Sequence, residues 1–262
     1  MQLRQELHSN TNNNKGRPIV LEPNHIIKYI TAQTASAAGL KRVSFDHGEV
    51  LARQGAIIEY VYLPDSGMLS YTVDLEQAQG LETASIGRNG AIGAAAAFGS
   101  KCHLNDVVAT LHTSGWAIPA GRIATIAEEV PEFRSLLLKI EQYTAAQSRQ
   151  IAACNACHTI SQRFAGWILR AFDESGASEL FITQEKIAQL LGVQRASISV
   201  VAHALQNGIL QYRRGRISIT DRTGLERHAC GCHASIRARH DELFGPAEER
   251  LALVPASAPA HV

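Results

Sequence analysis

Between Val43 and Pro119 the chain alternates short apolar runs (VSF, EVLA, IIEYVYL, MLSYTV, ETASI, VVATLHT, GWAIP) with turn residues, among them Gly48, Gly55, Gly67, Gly80, Gly87, Gly90 and Gly93. Apolar runs bounded by turn signals at this spacing predict strands, and so many close together predict a compact all-β unit, a roll or a barrel. Upstream, residues 24–38 predict a short helix ending at Gly39. After Pro119 the pattern changes. Residues 131–153 lack glycine and carry proline only at their start, where a helix tolerates it. Phe133, Leu137, Ile140, Thr144, Gln147 and Ile151 recur there at 4-3-4-3-4 spacing, which places them on one helical face. Such a face forms either a dimer seam or a surface lying on the β unit, and the seam is the expectation. Residues 158–174 predict a second amphipathic helix with Ile160, Phe164, Trp167, Ile168 and Phe172 inward, followed by a loop at 175–178.

Residues 183–208, TQEKIAQLLGVQRASISVVAHALQNG, carry the sharpest pattern. Thr183 suits an N-cap, and Glu185 suits the positive end of a helix dipole. Ile187, Leu190 and Leu191 supply an apolar face. Counting Gln184 as the first position, a small residue, a glycine and a β-branched residue fall at 5, 9 and 15 (Ala188, Gly192, Ile198). Two short helices crossing sharply need a small side chain at the crossing, a tight turn and a core anchor at those places, as in a helix-turn-helix. Val201 and Leu205 continue the second helix, and Asn207-Gly208 ends it. The following ILQYRRGRISIT, 209–220, predicts two strands joined by an arginine-tipped turn. Arg213, Arg214 and Arg216 would contact DNA phosphates from such a wing. Gln194, Arg195, Ser197 and Ser199, at the exposed start of the second helix, are the candidates for base reading, and Thr183 and Gln184, at the start of the first helix, are further candidates for DNA contact. Arg195 is the one suited to pair bidentately with guanine O6 and N7.

Charge sharpens this reading. The 262 residues carry a net charge of only +1. From Arg195 to His240, however, eight arginines face only Asp221 and Glu226. That local excess fits a polyanionic partner. The polar, Asn-rich start has no apolar signal-peptide core, and no run of about 18 apolar residues could span a membrane. The expectation is a cytoplasmic protein with no membrane partner. No P-loop, GxSxG elbow or paired-histidine metal motif suggests an enzyme.

With these motifs in place, the sequence from about residue 24 to 240 resembles the CRP/FNR family of bacterial transcription regulators. FDHGEVLARQGAIIEYVYLPDSGMLSYTV is similar to the opening of the family's cyclic-nucleotide-binding-like domain, 131–153 stands where the family has its dimerisation helix, and 183–220 is similar to its winged helix-turn-helix. Ala153, Cys154, Asn155 and His158, with RGRI, DR and GLE after the wing, resemble one branch of it. The resemblance implies an α+β fold. An N-terminal antiparallel β-roll of the double-stranded β-helix or jelly-roll type with its long helix would fill 21–153, and a winged helix-turn-helix 154–245. Tails at 1–20 and 246–262 would be disordered and flexible. It also implies a homodimer on double-stranded DNA, touching RNA polymerase if it activates.

Two departures qualify what it implies. Family members that bind cyclic AMP hold it with a Gly-Glu pair and a later Arg-Ser or Arg-Thr pair. Here the corresponding effector-pocket residues are Ile92, Gly93 and Ala94, with no glutamate, and residues 100–113 contain no arginine. An anionic ligand would lose its charge partner and its hydroxyl acceptor, so no cyclic AMP response is expected and the effector stays open. Ala196 and Val200 replace a Glu and an Arg of the family's common recognition helix, so the DNA site should differ too.

CNACH at 154–158 matches the C-x-x-C-H haem-attachment signature. Haem attachment needs an exported, oxidising context that nothing here signals. Cys154, Cys157, Cys230 and Cys232, with His158 or His233, could instead meet as a metal or thiol site. Only one residue separates Cys230 from Cys232, shorter than usual zinc spacing, and buried cysteines are often packing residues. The expectation is no cofactor. No cysteine precedes Cys102, which argues against an N-terminal iron–sulfur cluster.

Overall fold

The computed structural model describes residues 26–27, 39–88 and 90–245. The expected tails at 1–20 and 246–262, and most of the helix expected at 24–38, lie outside these residues. Ile26 and Ile27 are helical and buried against the roll.

The β unit is a roll of two antiparallel sheets. One has the order β1 (Lys41–Phe45), β7 (Thr113–Pro119), β3 (Tyr60–Ser66). The other has the order β2 (Val50–Ala52), β6 (Asp106–Ala109), β4 (Leu69–Leu75), β5 (Ala78–Ile86). Leu69, Ile86, Ile92, Val107 and Ala109 form the cluster inside the roll, with Phe45 and Tyr62 packed against it, while Val61, Leu63 and Ile118 face a second cluster shared with the helices. These side chains come from the apolar runs legible in the sequence, since a half-buried strand buries every second residue.

A short 3-10 helix, Ala94–Phe98, leads out of the second sheet. Helix α1 (Ala120–Glu129) follows β7, with Ile123, Ile126 and Ala127 buried on the roll. It was not picked out from the sequence, although Ile123, Ile126 and Ala127 recur at the spacing of one helical face. Helix α2 then runs from Pro131 to Cys157, 27 residues without a break. It passes straight through residues 153–154, where the sequence suggested a boundary. The chain turns only at His158 and Thr159.

The stripe on α2 is turned inward, against the expectation of a dimer seam. Phe133, Leu137 and Ile140 are buried in the same cluster as Val61 and Ile118 of the roll. The polar gap in the stripe has a partner-based reason. Gln147 is buried, its Oε1 accepts from the Ser85 amide at 2.6 Å, and its Nε2 donates to Glu174 Oε1 at 3.0 Å. A buried amide satisfied at both ends is compatible with a core position.

Helix α3 (Ile160–Ser175) starts in a reciprocal capping box between Thr159 and Gln162. Phe164, Trp167 and Ile168 are fully buried, while Ile160 and Phe172 pack at the margin. Beyond it come β8 (Leu180–Phe181), α4 (Gln184–Leu191), α5 (Arg195–Leu205), β9 (Leu210–Arg213), β10 (Arg216–Ile219), α6 (Arg222–His228) and α7 (Cys232–Phe244). The three strands form a sheet in the order β8-β10-β9.

The roll and the C-terminal unit are joined by a continuous core. Met68 and Leu111 of the roll belong to the cluster built on Phe164, Trp167 and Ile198. Their backbones also meet, with the Arg88 amide donating to Glu174 O at 3.0 Å. Gly87 allows this approach, because a Cβ there would lie 2.3 Å from the Glu174 carbonyl oxygen. Gly87→Ala should therefore part the two units locally and cost about 1–3 kcal/mol, the usual cost of overpacking. Chemical denaturation would measure this, and a change near zero would show that the junction yields freely.

Candidate nucleic-acid interface

Helices α4 and α5 form the crossing pair. Thr183 caps α4, its Oγ1 accepting from the Lys186 amide at 3.1 Å. Gly192 makes the turn in the left-handed region, at φ 64°. Ala188 and Ile198 are buried. Gln184 Oε1 accepts from Ser199 Oγ at 2.7 Å, so these two residues tie the helices together. Gln194 occupies the N-cap position of α5 without a side-chain capping bond, and Gln194 and Arg195 are exposed. Ser197 is half-buried beside Ile198.

The outermost face of α5 belongs to residues not picked from the sequence. Ala196, Val200 and His203 are exposed, Val200 at 71%. Helical periodicity could have found them, since they lie opposite the buried positions 198, 202 and 205. The methyl groups of Ala196 and Val200 on this face offer apolar contacts, such as those thymine accepts in the major groove.

The wing is the hairpin of β9 and β10. Arg213 pairs with Arg216 across it, leaving Arg214-Gly215 as a two-residue turn. Both turn residues have positive φ, 50° and 78°, as a tight primed hairpin turn demands. The three arginines are not equivalent. Arg216 pairs with Glu179 at 3.4 Å and lies 4.9 Å from the Phe181 ring centroid. Arg213 and Arg214 have no ion-pair partner among the described residues. Elsewhere the basic excess is partly spent within the chain. Arg222 pairs with Asp173 at 2.8 Å, Arg227 with Asp221 at 3.6 Å, and Arg239 with Glu242. Arg195, Arg213 and Arg214 are therefore the cations best placed for a phosphate or base.

The candidate effector residues are closed in. Ile92 and Ala94 are fully buried, and the Gly93 amide points toward Tyr71 Oη at 3.5 Å. Glu141 of α2 accepts a hydrogen bond from the Ala95 backbone at the start of the 3-10 helix, and burial pushes its carboxyl above the ordinary glutamate range. A carboxylate at that place would repel an anionic ligand. A cavity of about 750 Å³ lies elsewhere, between the roll and the C-terminal unit, lined by Arg88, Tyr143, Glu174, Arg222, Arg237 and His240 among others.

The cysteines divide. Cys154, Cys230 and Cys232 converge with His158, while Cys157, one residue before His158, is exposed and outside the group. His233 is engaged otherwise, with Nε2 2.9 Å from Asp173 Oδ2.

Residues 42–129 match the cyclic nucleotide-binding domain family, and residues 162–228 match the Crp-like helix-turn-helix domain family. No curated protein sequence matches the chain. Among solved structures, FixK2 from Bradyrhizobium japonicum is similar at TM-score 0.63 and 16% identity, covering 73% of this chain and 98% of that one. The c-di-GMP-responsive regulator CLP of Xanthomonas campestris is similar at TM-score 0.57 and 16% identity, over 75% of this chain and 98% of its own. A CooA mutant from Carboxydothermus hydrogenoformans also gives 0.57 at 16% identity, over 79% and 96%. At such identities these structures speak for the fold. No helix among the described residues is long and apolar enough to cross a membrane. With a cyclic nucleotide-binding domain and a Crp-like helix-turn-helix domain matched in order along one chain, the protein carries both domains, and the fold, of a CRP/FNR-type transcription regulator.

Proposed function

We propose that this chain is a homodimeric, sequence-specific DNA-binding transcription regulator that does not answer to cyclic AMP. The observation that carries it is the exposed Arg195 at the start of α5, beside a wing whose Arg213 and Arg214 are free of ion pairs among the described residues. Phosphate contacts from the wing would give affinity, and Arg195 would give base choice. The dimer would use the face of α2 that the roll leaves open. Leu138, at 42% exposure, and Gln142, Ala145, Arg149 and Ala152 follow one another at 4-3-4-3 spacing there, and the small alanines permit close helix approach. Two recognition helices would then enter successive major grooves about one turn apart. The buried Ala94 and the Glu141 carboxylate beside the 3-10 helix support the lack of a cyclic AMP response.

Selection of genomic fragments with purified protein tests this. A palindromic site should emerge, with affinity unchanged by cyclic AMP. Arg195→Ala should weaken binding to that site about ten- to thirtyfold and relax one base position. Arg213→Ala should weaken all sequences alike and reduce the salt dependence by about one ion. Wild-type affinity and base preference in Arg195→Ala would overturn the assignment of α5 as the reader.

A further inference from the structure

The cluster at the joint between α2 and α7 has the donors and the geometry of a metal site. Cys154 lies in the last turn of α2, and His158 follows it by four residues at the helix end, on the same side. Cys230 precedes α7, and Cys232 is its first residue. Gly231 between them carries the chain through a tight turn, so both sulfurs reach the same point despite their short spacing. Cys154 Sγ is 3.5 Å from Cys230 Sγ, and Cys232 Sγ is 3.5 Å from His158 Nδ1. All four donor atoms lie within 4.8 Å of one another. A tetrahedral zinc ion with Zn–S near 2.3 Å needs sulfurs about 3.7 Å apart, and slightly less between sulfur and nitrogen. The group is thus close to the required shape before any ion enters.

We propose that Cys154, His158, Cys230 and Cys232 bind one divalent zinc ion as a closed, structural Cys₃His site. Three soft sulfurs and one imidazole select a borderline-soft ion over magnesium or calcium, and four protein ligands leave no open position for catalysis. Binding releases the protons of the three thiols to solvent, leaving three thiolates on a 2+ ion. The resulting single negative charge has compensating neighbours. Gln150 Nε2 lies 3.1 Å from Cys232 Sγ as a donor, and Arg163 lines the same small cavity as Cys154, Cys230 and Cys232. Such outer donors orient and stabilise thiolate ligands. The ion would fasten the C-terminal helix to the end of the long helix, closing a loop of more than seventy residues.

The test uses the full chain purified with reductant and without oxygen. Elemental analysis should find one zinc per chain. Cys154→Ser and Cys230→Ser should lose it, and Cys157→Ser and Cys102→Ser should keep it. Because ligand variants can misfold, the unmodified chain is also stripped with a chelator and titrated with Co²⁺. Intense visible bands of a sulfur-rich tetrahedral cobalt site should saturate at one equivalent, and stripping alone should lower the thermal midpoint by several degrees. No zinc together with no cobalt bands would overturn the proposal. So would loss of metal in Cys157→Ser equal to that in Cys230→Ser, or a Cys154–Cys230 disulfide in the isolated protein.

Discussion

Arg170→Met should destabilise the protein by about 3–5 kcal/mol, the typical cost of leaving one partner of a buried ion pair alone. Glu82, on the β5 edge of the roll, has a side chain only 2% exposed, and its partner Arg170 on α3 is 11% exposed. The pair spans the junction between the roll and the C-terminal unit. Around it, Trp167 Nε1 donates to Glu82 Oε1 at 3.0 Å, Ser70 Oγ donates to Oε2 at 2.8 Å, and Arg170 Nε donates to Ser85 Oγ at 3.0 Å. Without the guanidinium, the carboxylate keeps two neutral donors and only the more distant Lys186 ammonium as counter-charge, in a place water hardly reaches. The double variant Glu82→Gln/Arg170→Met should recover most of the loss, because replacing both charges removes the desolvation cost along with the attraction. Denaturant titration of the three variants measures this cycle. A single variant within about 1 kcal/mol of the parent would show that the pair is solvated and contributes as little as a surface bridge.

One turn further along α3, Glu174→Gln should stabilise the protein at pH 8 by about 2 kcal/mol and flatten its pH dependence between 5 and 7. Burial, the leading cause, pushes the Glu174 carboxyl up to about 7. Arg170 and hydrogen bonds from Ser85 and Gln147 hold it down, while the Glu82 carboxylate pushes it further up. Its Oε2 is shut off from solvent and without a hydrogen-bond partner among the described residues. Between the ordinary glutamate range and pH 7 the folded chain keeps a proton that the unfolded chain has released. Stability contributed by that proton is complete in acid and is lost as pH rises through 7. The shift of about 2.5 from 4.5 sets an upper bound of roughly 3 kcal/mol. Asp173 and Asp106 are held below the usual aspartate range and act in the opposite sense at lower pH, so the quantity to measure is the difference between parent and variant across pH 5–8. A parallel pair of curves would mean that Glu174 is ionised throughout.

The residues legible from the sequence are those whose partners lie close along the chain. A helix-turn-helix is specified by Ala188, Gly192 and Ile198 within eleven residues, and the wing by one Gly-containing turn, so local spacing was enough to place both. The strands of the roll were legible for the same reason, since alternation and turn chemistry are local. Other features depend on what a face meets, and spacing is silent about that. The stripe from Phe133 to Ile151 has the period of a seam, yet whether it faces a second chain or its own roll is decided by where β3, β7 and β5 lie. Gln147 reads as a break in the stripe until Ser85 and Glu174 arrive from 62 residues upstream and 27 downstream. Arg216 looks like its neighbours in the wing until β8 brings Glu179 and Phe181 beside it. The same holds for the cysteines. Cys154 and Cys157 share a motif and Cys230 and Cys232 another, but helical rotation puts Cys157 outside and His158 inside the group. The sequence by itself determined the helix-turn-helix, the wing and the strand pattern of the roll, and named candidates for touching DNA. Only the tertiary structure decided which sulfurs meet, which arginines stay free, and which face of the long helix remains open, because those outcomes depend on side chains that the fold brings together from distant parts of the chain.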